Sequence, residues 1–366
     1  MKEKTVAVAM SGGVDSSLAA ALLKQQGFQV IGMTMDLYEL PPEFCRDDGL
    51  RSCCGRGAVE TANRVACSLG IPHYKVDMRR PFAEKVIDDF CAEYAAGRTP
   101  NPCIRCNTLI KFEDLFERAR RLGAEYLATG HYARIGRDGE GGRLLRKAAD
   151  KNKDQSYFLS GLSSGHLARA LFPLGEMTKS QVRAEAERLE LAAARRPESQ
   201  EICFIPDNDY ARFLKDRIPE AFSPGPIIDT AGRVLGRHRG IARFTVGQRR
   251  GMGIAAPYPL YVIEVRPADK TVVVGPGELL FSSSLTASGV NWVPRRRPLS
   301  AVSVRARIRH KHPEAEAELM LLEAGRARVD FSRPQRAVTP GQSVVFYDGE
   351  LVLGGGVIES VRGPSS

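Results

Sequence analysis

No apolar run in this sequence is longer than a strand. The longest, such as Thr5–Met10 and Val30–Met35, fall far short of the roughly 20 residues that span a bilayer, so no membrane helix is expected. Met1-Lys2-Glu3-Lys4 leads straight into a buried-looking strand, without the charged and then apolar segment of an export signal. A cytoplasmic protein is therefore expected. No internal repeat and no low-complexity tract occurs. A disordered chain is excluded, because 43% hydrophobic and 26% charged residues make an ordinary globular mixture. Two common nucleotide signatures are also missing. There is no Gly-x-Gly-x-x-Gly, and there is no Gly-Lys-Ser/Thr of the P-loop that cradles a β,γ-phosphate.

What is present is a 366-residue chain, long enough for two or three domains at roughly 150 residues each. Its net charge of +10 is unevenly placed: +3 over residues 1–204 and +7 over residues 205–366. A basic second half fits a polyanionic partner such as a nucleic acid, or simply a soluble basic surface. The eight cysteines are Cys45, Cys53, Cys54, Cys67, Cys91, Cys103, Cys106 and Cys203. In a chain of this size and expected compartment they point to thiol or metal chemistry rather than a disulfide framework. Cys67 and Cys91 fall among apolar residues of helical patterns and read as core filling.

Over the first 130 residues strand and helix alternate. Strands are expected at Thr5–Met10, Val30–Met35, His73–Met78 and Tyr126–Thr129, and helices at Asp15–Gln26, Gly57–Leu69, Pro81–Tyr94 and Asn107–Leu122. This is the rhythm of an α/β unit, a doubly wound parallel sheet that binds ligands beyond the carboxyl ends of its strands. Glu140–Arg146 reads as a small hairpin arm, and Thr178-x-x-Gln181 as the capping box of a helix to Leu191. After the Pro- and Gly-rich stretch Pro219–Gly225, short strands with turn signals take over and suggest a β barrel. The expected units are 1–205, a small central β-rich unit at 206–280, and a barrel at 281–366.

Strand one runs into Ala9-Met10-Ser11-Gly12-Gly13-Val14-Asp15-Ser16, followed by a helix. Paired glycines permit a tight turn that offers N–H groups to an anion. The helix N-terminus adds positive potential, and the serines add hydroxyls. Asp15 either helps to hold a hard cation such as Mg²⁺ or only caps the helix. The second constellation is Thr99-Pro100-Asn101-Pro102-Cys103-Ile104-Arg105-Cys106-Asn107. Two prolines stiffen the approach and Asn107 is suited to cap the next helix, which would place Cys106 at a helix N-terminus beside Arg105. Both features lower a thiol pKa. A third thiol stands in Ser199-Gln200-Glu201-Ile202-Cys203-Phe204, after the basic Arg195-Arg196.

The first of these motifs resembles the pyrophosphate loop of the ATP pyrophosphatase group. Further motifs run in order along nearly the whole chain: Thr-Pro-Asn-Pro-x-Ile-x-Cys-Asn at 99–107, Ala-Thr-Gly-His-Tyr at 128–132, Lys-Asp-Gln-Ser-Tyr-Phe-Leu at 153–159, Ser-Gln-x-Ile-Cys-Phe-Ile at 199–205 and Thr-Val-Gly-Gln-Arg-Arg-Gly at 245–251. Together with the loop they resemble the tRNA-specific 2-thiouridylases. The resemblance implies an adenine nucleotide alpha-hydrolase-like sheet, and ATP-dependent replacement of O2 of the wobble uridine by sulfur. It implies ATP and Mg²⁺ as cofactors, with tRNAs for Lys, Glu and Gln as substrates. It also implies a sulfur donor protein such as a cysteine desulfurase or relay. Residues 9–16, Met35 and Gly130 match the nucleotide contacts. Cys106 matches the nucleophile and Cys203 the persulfide carrier, a pair that can pass through a disulfide. Asn101, Pro102 and Cys103 fall in the loop that meets the target base. His131, Lys153, Asp154, Gln155, Arg309, His310 and Gln342 match tRNA contacts.

One position departs from the pattern, because the family commonly has Asp where this chain has Cys103. Proton transfer by that Asp is then in question. Cys103, Cys106 and Cys203 supply three soft ligands that could hold a [4Fe–4S] cluster; the other reading is a Cys106–Cys203 redox pair. Cys45, Cys53 and Cys54 read as a loop over the site without metal, the alternative being a zinc half-site completed by His73. In the basic half, Arg305, Arg307 and Arg309 alternate with apolar residues. They form either a phosphate-binding ridge or a salt-bridge ladder to Glu314, Glu316 and Glu318. Thr245–Gly253, with Arg249 and Arg250, either meets the anticodon loop or braces the central unit. Two rival functions remain: another adenylating enzyme, such as an amidotransferase or a lysidine-type ligase, or a tRNA-binding protein that only holds ATP.

Overall fold

The computed structural model describes residues 4–39, 56–196, 202–294 and 297–362. Cys45, Cys53 and Cys54, residues 199–201 of the third-thiol motif, and Arg295–Arg296 lie outside the described residues. Strands β1 (Thr5–Ala9), β2 (Gln29–Asp36), β3 (His73–Asp77), β4 (Tyr126–Ala128) and β7 (Ala170–Leu171) form one parallel sheet, in the order β3-β2-β1-β4-β7. The apolar runs of β1 and β2 are continuous because both faces are covered there. One face packs on helix Val14–Gln25 through Leu18, Ala19 and Leu23. The other packs on Phe82, Phe90, Ile110 and Leu115. The order reverses between β1 and β4, so the phosphate loop after β1 and Gly130 after β4 flank the switch point.

Two helices differ from expectation. The one foreseen at Pro81–Tyr94 runs through Arg79–Phe82, a π-helical turn at Ala83–Ile87, and Asp88–Ala95. The one foreseen to begin at Asn107 begins at Pro102 instead. It runs α-helical over Pro102–Arg105, π-helical over Cys106–Leu115 and α-helical over Phe116–Arg121. Asn101 caps it, accepting the Cys103 N–H at 3.2 Å, and Pro102 occupies the first helical position, where its missing N–H is no loss. Asn107 is therefore inside the helix and 3% exposed. The capping box of Thr178 and Gln181 forms as expected, on helix Lys179–Arg188.

The second sheet takes β8 (Gly225–Asp229), β9 (Val234–His238), β10 (Tyr261–Arg266) and β11 (Thr271–Gly275), in the order β10-β11-β8-β9. The third contains β12 (Phe281–Trp292), β13 (Val302–Arg307), β14 (Ala315–Leu321), β15 (Ala327–Arg336), β16 (Ser343–Asp348) and β17 (Leu351–Arg362). Pairing of β12 with β17 closes these six into a barrel around Leu319, Val329, Val344 and Phe346. The hairpin arm is longer than expected. Its strands β5 (Arg134–Arg137) and β6 (Arg143–Arg146) leave the first unit and join the barrel, Leu145 pairing with Val352. Among the described residues no helix is long and apolar enough to cross a membrane.

Candidate active site

The loop after β1 turns at Gly12, whose φ is +70° and whose missing Cβ would lie 2.2 Å from the Ala58 carbonyl oxygen. Only glycine fits there. Gly13 caps helix Val14–Gln25 without a side chain, so the first N–H groups of the helix are not masked by a capping oxygen. Ser16 Oγ accepts the Ser11 N–H at 3.1 Å and lies 3.3 Å from Ser11 Oγ, which sets the two hydroxyls side by side. Met10 is buried, and its carbonyl accepts from Thr34 on β2 at 2.7 Å. Gly130 presses on the same helix start: a Cβ there would meet Ser16 N at 2.6 Å. Gly130 is thus required by packing, before any contact with a nucleotide.

Three residues around this loop were not foreseen. Lys179, 9% exposed, sets its ammonium 2.7 and 2.8 Å from the two carboxylate oxygens of Asp15, and Tyr132 donates its hydroxyl to the same carboxylate at 2.7 Å. Arg196 donates from Nη1 to the Gly12 carbonyl at 3.3 Å and to the Gly57 carbonyl at 3.2 Å. Arg196 was read as part of the basic setting of Cys203; it lies on the phosphate loop. No local signal marks the Lys179–Asp15 pair, since 164 residues separate its members. Asp15 neither caps the helix nor presents an unengaged carboxylate to a cation. It does not fit the role of a Mg²⁺ ligand, and no step is derived through that ion.

The Pro-framed loop is clamped from two sides. Gln342 of the barrel donates from Nε2 to the Thr99 and Pro100 carbonyls at 2.9 and 3.3 Å, and the Thr99 N–H donates to Pro340 at 2.9 Å. From the central unit, Thr245 Oγ1 lies 3.1 Å from Thr99 Oγ1. The helix that follows carries Cys103 on its exposed first turn and Cys106, half-buried, at the start of the π-helical stretch. Arg105 points away to Asp89, at 3.0 Å, and donates to the Lys85 carbonyl. Burial raises the Asp89 pKa against that opposing charge. One turn on, Asn107 donates to the Phe158 carbonyl at 2.9 Å and accepts from Lys111 at 2.7 Å.

Cys203 reaches the same region from the far side of the sequence. Phe204 is buried among Phe82, Phe90 and Phe213, with ring centroids 5.6, 5.3 and 5.2 Å away. Tyr38, just beyond the carboxyl end of β2, donates its hydroxyl to the Cys203 carbonyl. Cys203, Ile202, Cys106, Ile104 and Met35 all pack on one core cluster, which also holds Phe82, Val86 and Phe90. Among the described residues, no three His, Cys, Asp or Glu side chains converge as metal ligands. Cys103, Cys106 and Cys203 as they stand do not fit the ligand set of a [4Fe–4S] cluster, and no step is derived through one.

The expected tRNA contacts divide. His131 faces Thr129, 2.7 Å from its Oγ1, and Phe172; burial pushes its pKa well below 6.5, and nearby Lys111 adds to this, so its imidazole is neutral. Lys153 closes a turn onto the Asp150 carbonyl. Asp154 is buried and accepts from the Ala148 and Ser156 N–H groups and the Ser156 hydroxyl. Gln155 accepts the Tyr132 N–H. His310 lies tilted against Phe158, ring centroids 4.4 Å apart, and Arg309 turns inward to the Ala337 carbonyl and Thr339. On the barrel the ladder forms rather than a bare ridge. Arg305 lies 3.4 Å from Glu316, Arg307 lies 2.7 Å from Glu314, and Lys147 lies 2.6 Å from Glu314. Register explains this, because Arg305 stands directly opposite Glu316.

Comparison with known proteins bears on these features. Three family models match: a tRNA methyl transferase HUP domain over residues 4–207, a tRNA methyl transferase PRC-barrel domain over 211–276, and an aminomethyltransferase beta-barrel domain over 282–358. The tRNA-specific 2-thiouridylase MnmA of Pelotomaculum thermopropionicum is 49% identical over 98% of this chain and 98% of its own. That of Geotalea uraniireducens is 50% identical over 98% of this chain and 96% of its own. The chain belongs to the tRNA-specific 2-thiouridylase family. Membership accounts for the three-part build and for the ordered motifs around the phosphate loop, Cys106 and Cys203. A solved structure titled U34-tRNA thiolase NcsA from Methanococcus maripaludis with its [4Fe-4S] cluster is 19% identical over 59% of this chain and 67% of its own. Its TM-score of 0.33 carries no argument.

Proposed function

We propose that this 2-thiouridylase-family protein thiolates C2 of the wobble uridine of tRNA at the expense of ATP. The observation that supports this reading is the docking of the Cys203 segment, through Tyr38 and Phe204, on the core cluster against which Cys106 also packs. Tyr38 stands just beyond the carboxyl end of β2, so the Cys203 segment comes to the edge of the sheet where ligands bind in such folds.

In the proposed reaction, ATP lies with its phosphates on residues 9–16 and its base toward Met35 and Gly130. The wobble base, turned out of its stack, meets Asn101, Pro102 and Cys103. Its O2 attacks the α-phosphorus, and pyrophosphate leaves with the electron pair of the broken P–O bond. Cys203, charged as a persulfide by a cysteine desulfurase or a relay protein, brings its outer sulfur to C2, and AMP departs with the original oxygen. The Cys106 thiolate then attacks the Cys203 sulfur. A Cys106–Cys203 disulfide forms, 2-thiouridine leaves with the electrons of the broken S–S bond, and a reductant of the thiol class restores the pair. In the alternative order Cys106 first cleaves the persulfide and frees hydrosulfide to attack C2. The acceptors are tRNAs for Lys, Glu and Gln, and the compartment is the cytoplasm. His131, Lys153, Gln155, His310 and Gln342 line the RNA path, Asp154 and Arg309 acting from behind it.

The test is 2-thiouridine formation by Cys106→Ala and Cys203→Ala with ATP, tRNA and a sulfur donor. Each is expected to lose at least about a thousandfold, as when a nucleophile is removed; full activity in either removes the assigned thiol roles. The matched domain models carry a methyl transferase description, so the same assay should follow a labelled methyl donor. Methyl incorporation without sulfur would overturn the proposal.

A further inference from the structure

Five arginines of the barrel face carboxylates or carbonyls of their own chain. Arg305 and Arg307 pair with Glu316 and Glu314, Arg326 with Glu359 and Arg328 with Asp330, while Arg297 donates to the Leu322 carbonyl. A polyanion at the mouth of the site needs cations that are not already neutralised, and the turn Thr245–Gly253 offers two. Arg249 and Arg250 are exposed, and among the described residues neither has a carboxylate within ion-pair distance.

The turn that presents them is rigid. Gly247, Gly251 and Gly253 take φ of +89°, +84° and +68°. Gln248 ties the turn across its middle: its Oε1 accepts the Thr245 N–H at 3.1 Å, and its Nε2 donates to the Arg250 carbonyl at 2.9 Å. The backbone pins it to β10, from Gly247 to Val262 at 2.8 Å and from Val262 to Gln248 at 2.9 Å. Thr245 touches Thr99 of the cysteine-bearing loop, and a Cβ on Gly247 would lie 2.8 Å from that of Ala337 on the barrel. Thr245, Gly247 and Gln248 thus make these bracing contacts, and none of them uses either arginine side chain. The guanidinium is planar and always charged, and it matches phosphate oxygens in pairs. Holding it on a stiff turn reduces the entropy lost on binding.

We infer that Arg249 and Arg250 grip adjacent backbone phosphates of the substrate tRNA, positioning the wobble nucleotide at the loop Thr99–Pro102 without reading sequence. This rests on the proposed function. The experiment measures binding of unmodified tRNA between 50 and 300 mM salt, with wild type, Arg249→Gln/Arg250→Gln and Arg249→Lys/Arg250→Lys. In the Gln double variant affinity should fall roughly tenfold, and the slope of log K against log salt should flatten by about 1.4, two contacts at about 0.7 each on unpaired RNA. The Lys variant should keep the wild-type slope. A Gln variant with wild-type affinity and slope overturns the grip, and so does one that has lost its folded circular-dichroism spectrum, since the arginines would then belong to the brace. A wild type that binds no tRNA and makes no 2-thiouridine overturns the function instead.

Discussion

At the scale of single residues, the phosphate loop is held by groups that never appear in its motif. Asp15 is 30% exposed by side chain and Lys179 only 11%, so the pair sits where water screens it poorly. Removing the cation leaves a half-buried carboxylate with the Tyr132 hydroxyl as its remaining hydrogen-bond partner among the described residues. Lys179→Met should cost about 2 kcal/mol of stability, below the value for a fully buried pair because Asp15 is partly wet. The affinity for ATP should fall with it, as the start of helix Val14–Gln25 loosens. A double-mutant cycle with Asp15→Asn in urea checks the pairing: additive losses would show that the two side chains do not depend on each other.

At the scale of elements, the cysteine-bearing helix depends on its first turn. Asn101 supplies the cap. Asn101→Ala should cost about 1 kcal/mol, the usual worth of such a cap, and should speed alkylation of Cys103 more than of Cys106, which lies deeper. Equal acceleration at both thiols would show that the whole helix unwinds rather than frays. Much of this element was legible beforehand: the prolines, the two thiols and the helix to about Leu122. Its start was not, because Asn107 is suited to a cap, whereas the structure gives that place to Asn101. Pro102, at home in the first helical position, decides between them. The barrel arginines failed differently. Alternation of apolar and basic residues fixed the face they occupy, but only strand register revealed Glu316 opposite Arg305. The turn at Asp348-Gly349, set by two adjacent residues, closes β16 on β17. Local signals survived folding, and those that needed a distant partner did not.

At the scale of the molecule, the three sheets are joined closely enough to share one response to acid. Leu145 pairs with Val352 across units, Tyr157 donates to the Ser343 carbonyl, Asn291 donates to the Ser160 and Leu162 carbonyls, and Thr245 of the central unit lies 3.1 Å from Thr99. Five of the six histidines have pKa values lowered by burial: His73 and His131 in the first unit, His166 beside it, His238 in the central sheet and His310 at the barrel. The folded protein resists protonating each of them, whereas the unfolded chain takes up protons at about pH 6.5. Below that pH the unfolded state therefore holds more protons, and stability falls as pH drops; above it these groups leave stability flat. Asp77, Glu185, Asp207 and Asp229 are held low by arginine and backbone partners and act in a separate window below about pH 4. The urea midpoint should stay level from pH 8 to pH 7 and decline from pH 6.5 to pH 5, in one transition because every unit carries a resisting imidazole. His131→Gln, which removes the most strongly lowered of the five, should make that decline shallower. A midpoint unchanged down to pH 5 would mean that the imidazoles reach water and take up protons without unfolding.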